Sequence, residues 1–163
     1  MNVVTTALAV LALLGSGLIA GVFFAFSSFV MKALARMPSH EGIAVMQSIN
    51  VVVLNRSFLG VFIGTTVISL LVAVLAITNW GAPATLYFLA GALLYVAGTF
   101  LVTGLGNVPL NDRLAAVSAT DPAGFAVWEH YLDRWTLLNT IRTVAAAGAV
   151  LMFTLGLMQG GCG

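Results

Sequence analysis

An all-α, membrane-embedded four-helix bundle is the fold this sequence predicts, and three observations predict it. The 163-residue chain is 61% apolar and 7% charged, with a mean hydropathy of +1.10, whereas soluble domains carry roughly 25% charged residues. No Asp, Glu, Lys or Arg occurs from Met1 to Met31 or from Ser57 to Asn111. Four segments reach the roughly 20 apolar residues that a bilayer crossing needs, namely 5–30, 57–78, 84–106 and 136–158. Their apolar runs are continuous rather than alternating, which favours helices over barrel strands. The chain 1–163 therefore reads as a single four-span domain, with amphipathic helical connections after spans one and three.

The first stretch lacks a basic leader and is too long for a cleaved signal segment, so it is read as a retained span. In the connection that follows, Ile43, Met46, Gln47, Asn50 and Leu54 recur at steps of three and four, the period of a helix with one apolar face. Pro38-Ser39 opens it, with Ser39 as the expected N-cap. Such a helix lies at the membrane surface or against the bundle.

Spans two and three are joined by Asn79-Trp80-Gly81-Ala82-Pro83. So short a connection with two helix breakers makes them antiparallel neighbours. Span three ends in Asn107-Val108-Pro109-Leu110-Asn111-Asp112, where Pro109 lacks a backbone donor and restricts its predecessor, so a break or kink is expected. Asp121-Pro122 opens another helix, with Asp121 as N-cap and Pro122 at the first helical position. That helix is expected to run straight into span four.

Lys32, Arg36 and Arg56 mark the first long connection and Arg113 and Arg134 the third. The positive-inside rule then puts both long connections in the cytoplasm and both termini outside, in an inner or plasma membrane. The net charge of +1 argues for no nucleic-acid partner. A lone cysteine, Cys162, leaves no intramolecular disulfide and no Cys-cluster metal site. Gly17 with Gly21, and Gly60 with Gly64, form small-xxx-small patterns, and Ser16, Ala25, Gly91 and Gly98 add smooth faces. These are expected to allow close helix packing. They name no partner, and a homo-oligomer stays open.

Three polar clusters carry the candidate chemistry. Trp128, Tyr131, Trp135, Asn139 and Arg142 follow steps of three, four, four and three, a single stripe at about 100° per residue. An arginine at that depth costs a few kcal/mol or more unless paired, which makes it a functional-site hypothesis by default. An aromatic belt with a snorkelling arginine would place most of the same residues, but leaves Asn139 without a role. Asn107 and Asn111 form the second cluster, as helix caps or as amides turned into the bundle mouth. Asn50 and Asn55 form the third, with Asn50 on the apolar stripe.

The topology brings all three clusters to one end of the bundle, where Asn50, Asn107, Asn111, Trp128, Trp135, Asn139 and Arg142 are expected to line a single cavity opening toward the cytoplasm. The opposite end is expected to offer only Asn79, Trp80 and Gln159. His40 and His130 fall outside the apolar spans and are a poor basis for haem or a metal. His130 also lies about 200° from Trp128 on an ideal helix.

These residues carry a resemblance. Ala20-Gly21-Val22-Phe23-Phe24-Ala25-Phe26-Ser27, Met46-Gln47-Ser48-Ile49-Asn50, Asn107-Val108-Pro109-Leu110-Asn111 and the W-x2-Y-x3-W-x3-N-x2-R stripe resemble the anthrone oxygenase-like membrane proteins over nearly the whole chain. The resemblance implies a four-span protein, some of whose relatives oxidise anthrones to anthraquinones with molecular oxygen as co-substrate and no established metal or flavin. The substrate expected on that basis is a small aromatic molecule that partitions into the lipid bilayer.

Arg142 would stabilise an oxyanion, Asn107, Asn111 and Asn139 would orient oxygens, and Trp128 and Trp135 would stack on the rings. Tyr131 and Asn50 would complete the substrate contacts. The general base is left open between His130 and Asp112. Two other classes fit the same residues: a non-enzymatic binder of a quinone or lipid, or an assembly subunit. In a purely structural bundle, Arg142 would merely pair with Asp112 or Asp133.

Overall fold

The computed structural model describes residues 2–160 and contains five helices in that range. The first, α1 (Val3–Leu34), crosses the bundle. The second, α2 (Ser39–Val52), lies across one end. Then come α3 (Arg56–Thr78), α4 (Thr85–Ala115) and α5 (Pro122–Gly160). The four longest are each apolar and long enough to span a membrane, and the chain is an integral membrane protein. At most 33% of any crossing window is buried within the chain. The outward surface of Leu11, Leu14, Leu18, Val67, Leu70 and Leu86 is exposed and meets lipid rather than water.

Local chemistry sets the helix ends. Asn2 accepts from Thr5 N at 2.8 Å and Asn55 from Phe58 N at 3.0 Å, each satisfying one orphan donor of a first turn. Asp121 Oδ1 accepts from Ala123 N at 2.9 Å, and the helix it caps continues unbroken for 39 residues, so the amphipathic connection and span four are one rod. At α2, Pro38 rather than Ser39 occupies the N-cap, without a side-chain cap bond. Its carbonyl serves Glu41 N and Gly42 N, so Ser39 is already the first helical residue. Leu54 falls beyond α2 and is exposed. Gly81, at φ 92°, turns the chain between α3 and α4, a conformation open to glycine.

Pro109 does not break α4, contrary to the sequence expectation. Two π turns, Val96–Leu101 and Thr103–Asn107, precede it, and Val108 N bonds back five residues to Thr103 O. Such widened turns absorb a missing donor that regular α geometry tolerates poorly. A third π turn, Phe26–Val30, sits at the corresponding end of α1.

Two clusters hold the helices together. One joins Ala12, Ile19, Phe62, Val72, Phe88 and Phe153 through the middle of the bundle. The other joins Met31, Ile43, Met46, Leu114 and the Trp128 stack at the end carrying both long connections. Close approach occurs at Gly15, where an added Cβ would strike the Thr65 hydroxyl, and at Gly98 against Ala145 and Gly91 against Phe153. Gly21, Gly60 and Gly64 have nothing within 4 Å of such a Cβ and Gly17 only Val150 at 3.8 Å. Those two glycine pairs therefore do not pack helices together, because they point out of the bundle. Cys162 lies outside the described residues.

Candidate functional site

Arg142 is 4% exposed and sits at the junction of α1, α4 and α5. Its Nη1 donates to Thr103 Oγ1 at 3.0 Å and its Nη2 to Asn139 Oδ1 at 2.7 Å. The guanidinium carbon lies 4.0 Å from the Phe23 ring centroid and 5.3 Å from that of Trp135, within reach of a cation–π attraction. No carboxylate joins it: the only ion pair among the described residues is His40 with Glu41 at 3.9 Å. Asp112 and Asp133 are exposed, so the structural pairing expected for Arg142 is absent. Its Nε and Asn107 Oδ1 are buried without a hydrogen-bond partner.

Asn139 is fully buried and saturated. Its Nδ2 donates to Phe23 O and Ser27 Oγ, both at 2.7 Å, while its oxygen takes the arginine. It fastens the guanidinium to α1. Asn107 Nδ2 donates to Trp135 O at 3.2 Å. Asn111 Oδ1 accepts from Trp135 Nε1 at 2.9 Å and from Tyr131 OH at 2.8 Å, and Asn50 Nδ2 reaches the same tyrosine oxygen at 3.3 Å. Both asparagines of span three thus turn inward instead of capping a broken helix.

A cavity of about 400 Å³ opens beside these groups, within the usual range of roughly 300–1,000 Å³ for small-molecule sites. Its polar wall is Gln47, Asn50, Thr103, Asn107, Asn111, Asp112 and Arg142, and its apolar wall includes Phe23, Phe26, Met46, Phe58, Phe62 and Trp135. Asp112 is the one carboxylate on that wall. Trp128, Tyr131 and Asn139, expected on the same surface, are not among the lining residues.

Trp128 stacks on Tyr131 at 5.7 Å and 18°, and Tyr131 on Trp135 at 5.9 Å and 19°. An added Cβ on Gly42 would come within 2.9 Å of Trp128 Cζ2. With Tyr131 on one side and α2 against it, Trp128 offers no open face to a ligand. Of the three stacked rings, only Trp135 reaches the cavity.

His130 is exposed and off the cavity. Among the described residues no group of three or more His, Cys, Asp or Glu is placed to hold a metal ion. The opposite end holds more than its expected three residues. A second cavity of about 480 Å³ there is lined by Asn2, Thr5, Asn79, Thr85, Phe88 and Gln159 among others, with Trp80 exposed outside it. Asn2, Thr5, Asn79 and Thr85 are engaged in helix ends, as Thr85 Oγ1 is with Asn79 O at 3.1 Å, and its lining carries no charge.

Thr103 was not singled out from the sequence, and Phe23 and Ser27, though part of the motif that carries the resemblance, were given no role. Thr99, Thr103, Asn107 and Asn111 recur every four residues, and each bonds to α5; that row was the available signal. The fold and site together define a membrane-embedded helical bundle with a buried arginine beside an internal cavity and no acidic partner for it among the described residues. A family model for anthrone oxygenases matches residues 54–152, and the chain belongs to that family. The match takes in Asn107 through Arg142 and leaves out α1 and α2, so it is narrower than the near-complete extent expected from the motifs. No curated protein and no solved structure matches the chain.

Proposed function

We propose that this protein is an oxygenase of an anthrone-like aromatic substrate, working with molecular oxygen and no cofactor. The observation that carries the reading is Arg142: a buried cation held by neutral acceptors beside an apolar cavity, with no acidic partner among the described residues. Family membership supports the reaction class. The positive charge at the connection end favours a cytoplasmic mouth for the cavity.

The chemistry needs little beyond charge stabilisation. Asp112 removes a proton from the CH2 bridge, and the electron pair delocalises onto the ring oxygen as a phenolate. Arg142 and the Asn111 amide hold that oxyanion, a contribution of about 2.7–4 kcal/mol for one preorganised donor. The anion passes one electron to oxygen, and the resulting radical pair combines to form a C–O bond. Asp112 returns its proton to the peroxide. Removal of the remaining bridge proton then breaks the O–O bond, forms the new C=O and releases hydroxide, which leaves as water. One oxygen atom ends in the quinone and the other in water.

The test is oxygen uptake by purified protein with an anthrone. Turnover that Arg142→Ala and Asn139→Ala both abolish, in variants that stay folded, is the expected result; unchanged turnover in both would sink the proposal. A quinone or lipid carrier using the same cavity would retain ligand without consuming oxygen.

A further inference from the structure

Resting on that reading, we infer that Asn50 is a specificity determinant that accepts a hydrogen bond from a hydroxyl group on the aromatic ligand. The argument is one of hydrogen-bond direction. An indole N–H can only donate, so Trp135 Nε1, at 2.9 Å, requires the Asn111 atom facing it to be oxygen. Tyr131 OH, at 2.8 Å from the same oxygen, must then spend its proton there. The tyrosine oxygen has only lone pairs left for Asn50, at 3.3 Å. Asn50 must therefore turn its NH2 group toward Tyr131 and its carbonyl away.

The two free ends of this relay have opposite character. Asn111 and Asn50 both line the cavity. Neither Asn111 Nδ2 nor Asn50 Oδ1 has a protein partner among the described residues, and neither is enclosed. Asn111 presents a donor to the cavity that Arg142 also lines, suited to the oxyanion. Asn50 presents an acceptor that only a ligand donor or water can satisfy. A ligand that places a methoxy group or bare ring edge there displaces water and leaves the carbonyl unpaired, which binding sites penalise more than they reward a good contact.

The test uses anaerobic equilibrium binding of three probes: anthraquinone, 2-hydroxyanthraquinone and 2-methoxyanthraquinone. The 2-position is too far from the ring carbonyls for an internal hydrogen bond. Measurements are made below the pH at which the phenol ionises. The wild-type protein is expected to bind the hydroxy probe about tenfold more tightly than the methoxy probe, the scale of one neutral hydrogen bond.

Asn50→Leu should bring the two within about twofold, and a thermal melt of the same preparation reports its folding. Asn50→Gln keeps an NH2 group for Tyr131 as well as a carbonyl acceptor and should keep the preference. Equal binding of hydroxy and methoxy probes by wild type, or a preference that survives Asn50→Leu, overturns the assignment to Asn50 alone. Binding of none of the three removes the aromatic-ligand reading and this inference with it.

Discussion

Replacing Arg142 by methionine should separate stability from function. The side chain donates to Thr103 and Asn139 and stacks against Phe23 and Trp135, yet no carboxylate depends on it. Removing the charge relieves a burial cost of about 3 kcal/mol. Losing two charge-assisted hydrogen bonds costs about 1.5–3 kcal/mol each. The difference runs from no net change to a destabilisation of about 3 kcal/mol, or a fall in Tm of up to about 12 °C for a chain of this size.

Thr103 Oγ1 keeps its bond to Thr99 O at 2.8 Å and Asn139 keeps both its donor contacts, so the bundle has reason to stay intact. Catalysis should lose far more, about 10²- to 10³-fold in kcat, the usual effect of deleting an oxyanion donor. Oxygen consumption with an anthrone and a detergent thermal melt, run on the same preparation, give both numbers. A variant that melts as expected and retains kcat within a few-fold would refute the role assigned to the guanidinium.

Thr103→Asp places a carboxylate where Arg142 Nη1 now finds a hydroxyl at 3.0 Å; anthrone oxidation should be lost with Tm retained, read by the same pair of assays. Asp112→Asn should lower kcat by about 10²- to 10⁴-fold, the range for a general base, and kinetics unchanged by it would move the base elsewhere. Gly15→Leu drives a side chain into Thr65 and should destabilise by about 1–3 kcal/mol or more, while Gly60→Leu, in open space, should melt within a degree or two of wild type. Gly42→Ala brings a methyl group 2.9 Å from Trp128 and should loosen α2 from the stack, seen as a red-shifted tryptophan emission.

What the sequence disclosed follows from where its periodicity is regular. The stripe from Trp128 to Arg142 was legible because α5 is uninterrupted α-helix, so steps of three and four map onto one face, and all five residues are indeed buried. Their division was not legible: the same stripe contains Trp128, sealed by α2, and Trp135, open to the cavity. The row from Thr99 to Asn111 was hidden for a geometric reason. In ideal α-helix, four residues overshoot a full turn by about 40°, so twelve drift by about 120°. The two π turns take more residues per turn and offset that drift, keeping all four side chains against α5.

The contacts of Phe23 and Ser27 with Asn139 and Arg142 were hidden for another reason, since an apolar span offers no contrast between its inward and outward residues. The glycine patterns misled because spacing records neither phase nor direction. Gly17 and Gly21 share a face, but that face looks into lipid, and only the three-dimensional register of α1 against α3 shows that Gly15 makes the close contact instead.

The choice of acceptors around Arg142 bears on what the cavity can bind. A carboxylate in the place of Thr103 or Asn139 would orient the guanidinium equally well, but would also cancel its charge. A hydroxyl, an amide and two aromatic faces orient it and leave the charge uncancelled, in surroundings where electrostatic interactions are screened far less than in water. The balance then has to come from the ligand, and a weak acid can supply it by ionising inside the cavity. Under the proposed function, the field that holds an oxyanion also favours its formation, and Arg142 would act on the acidity of the bound molecule. A neutral lipid gains nothing from such a field, whereas an acidic C–H or phenol conjugated to a ring oxygen gains directly. Affinity for an anthrone should therefore exceed affinity for its non-ionising hydrocarbon parent, and Thr103→Asp should erase that difference by restoring the counter-charge from within.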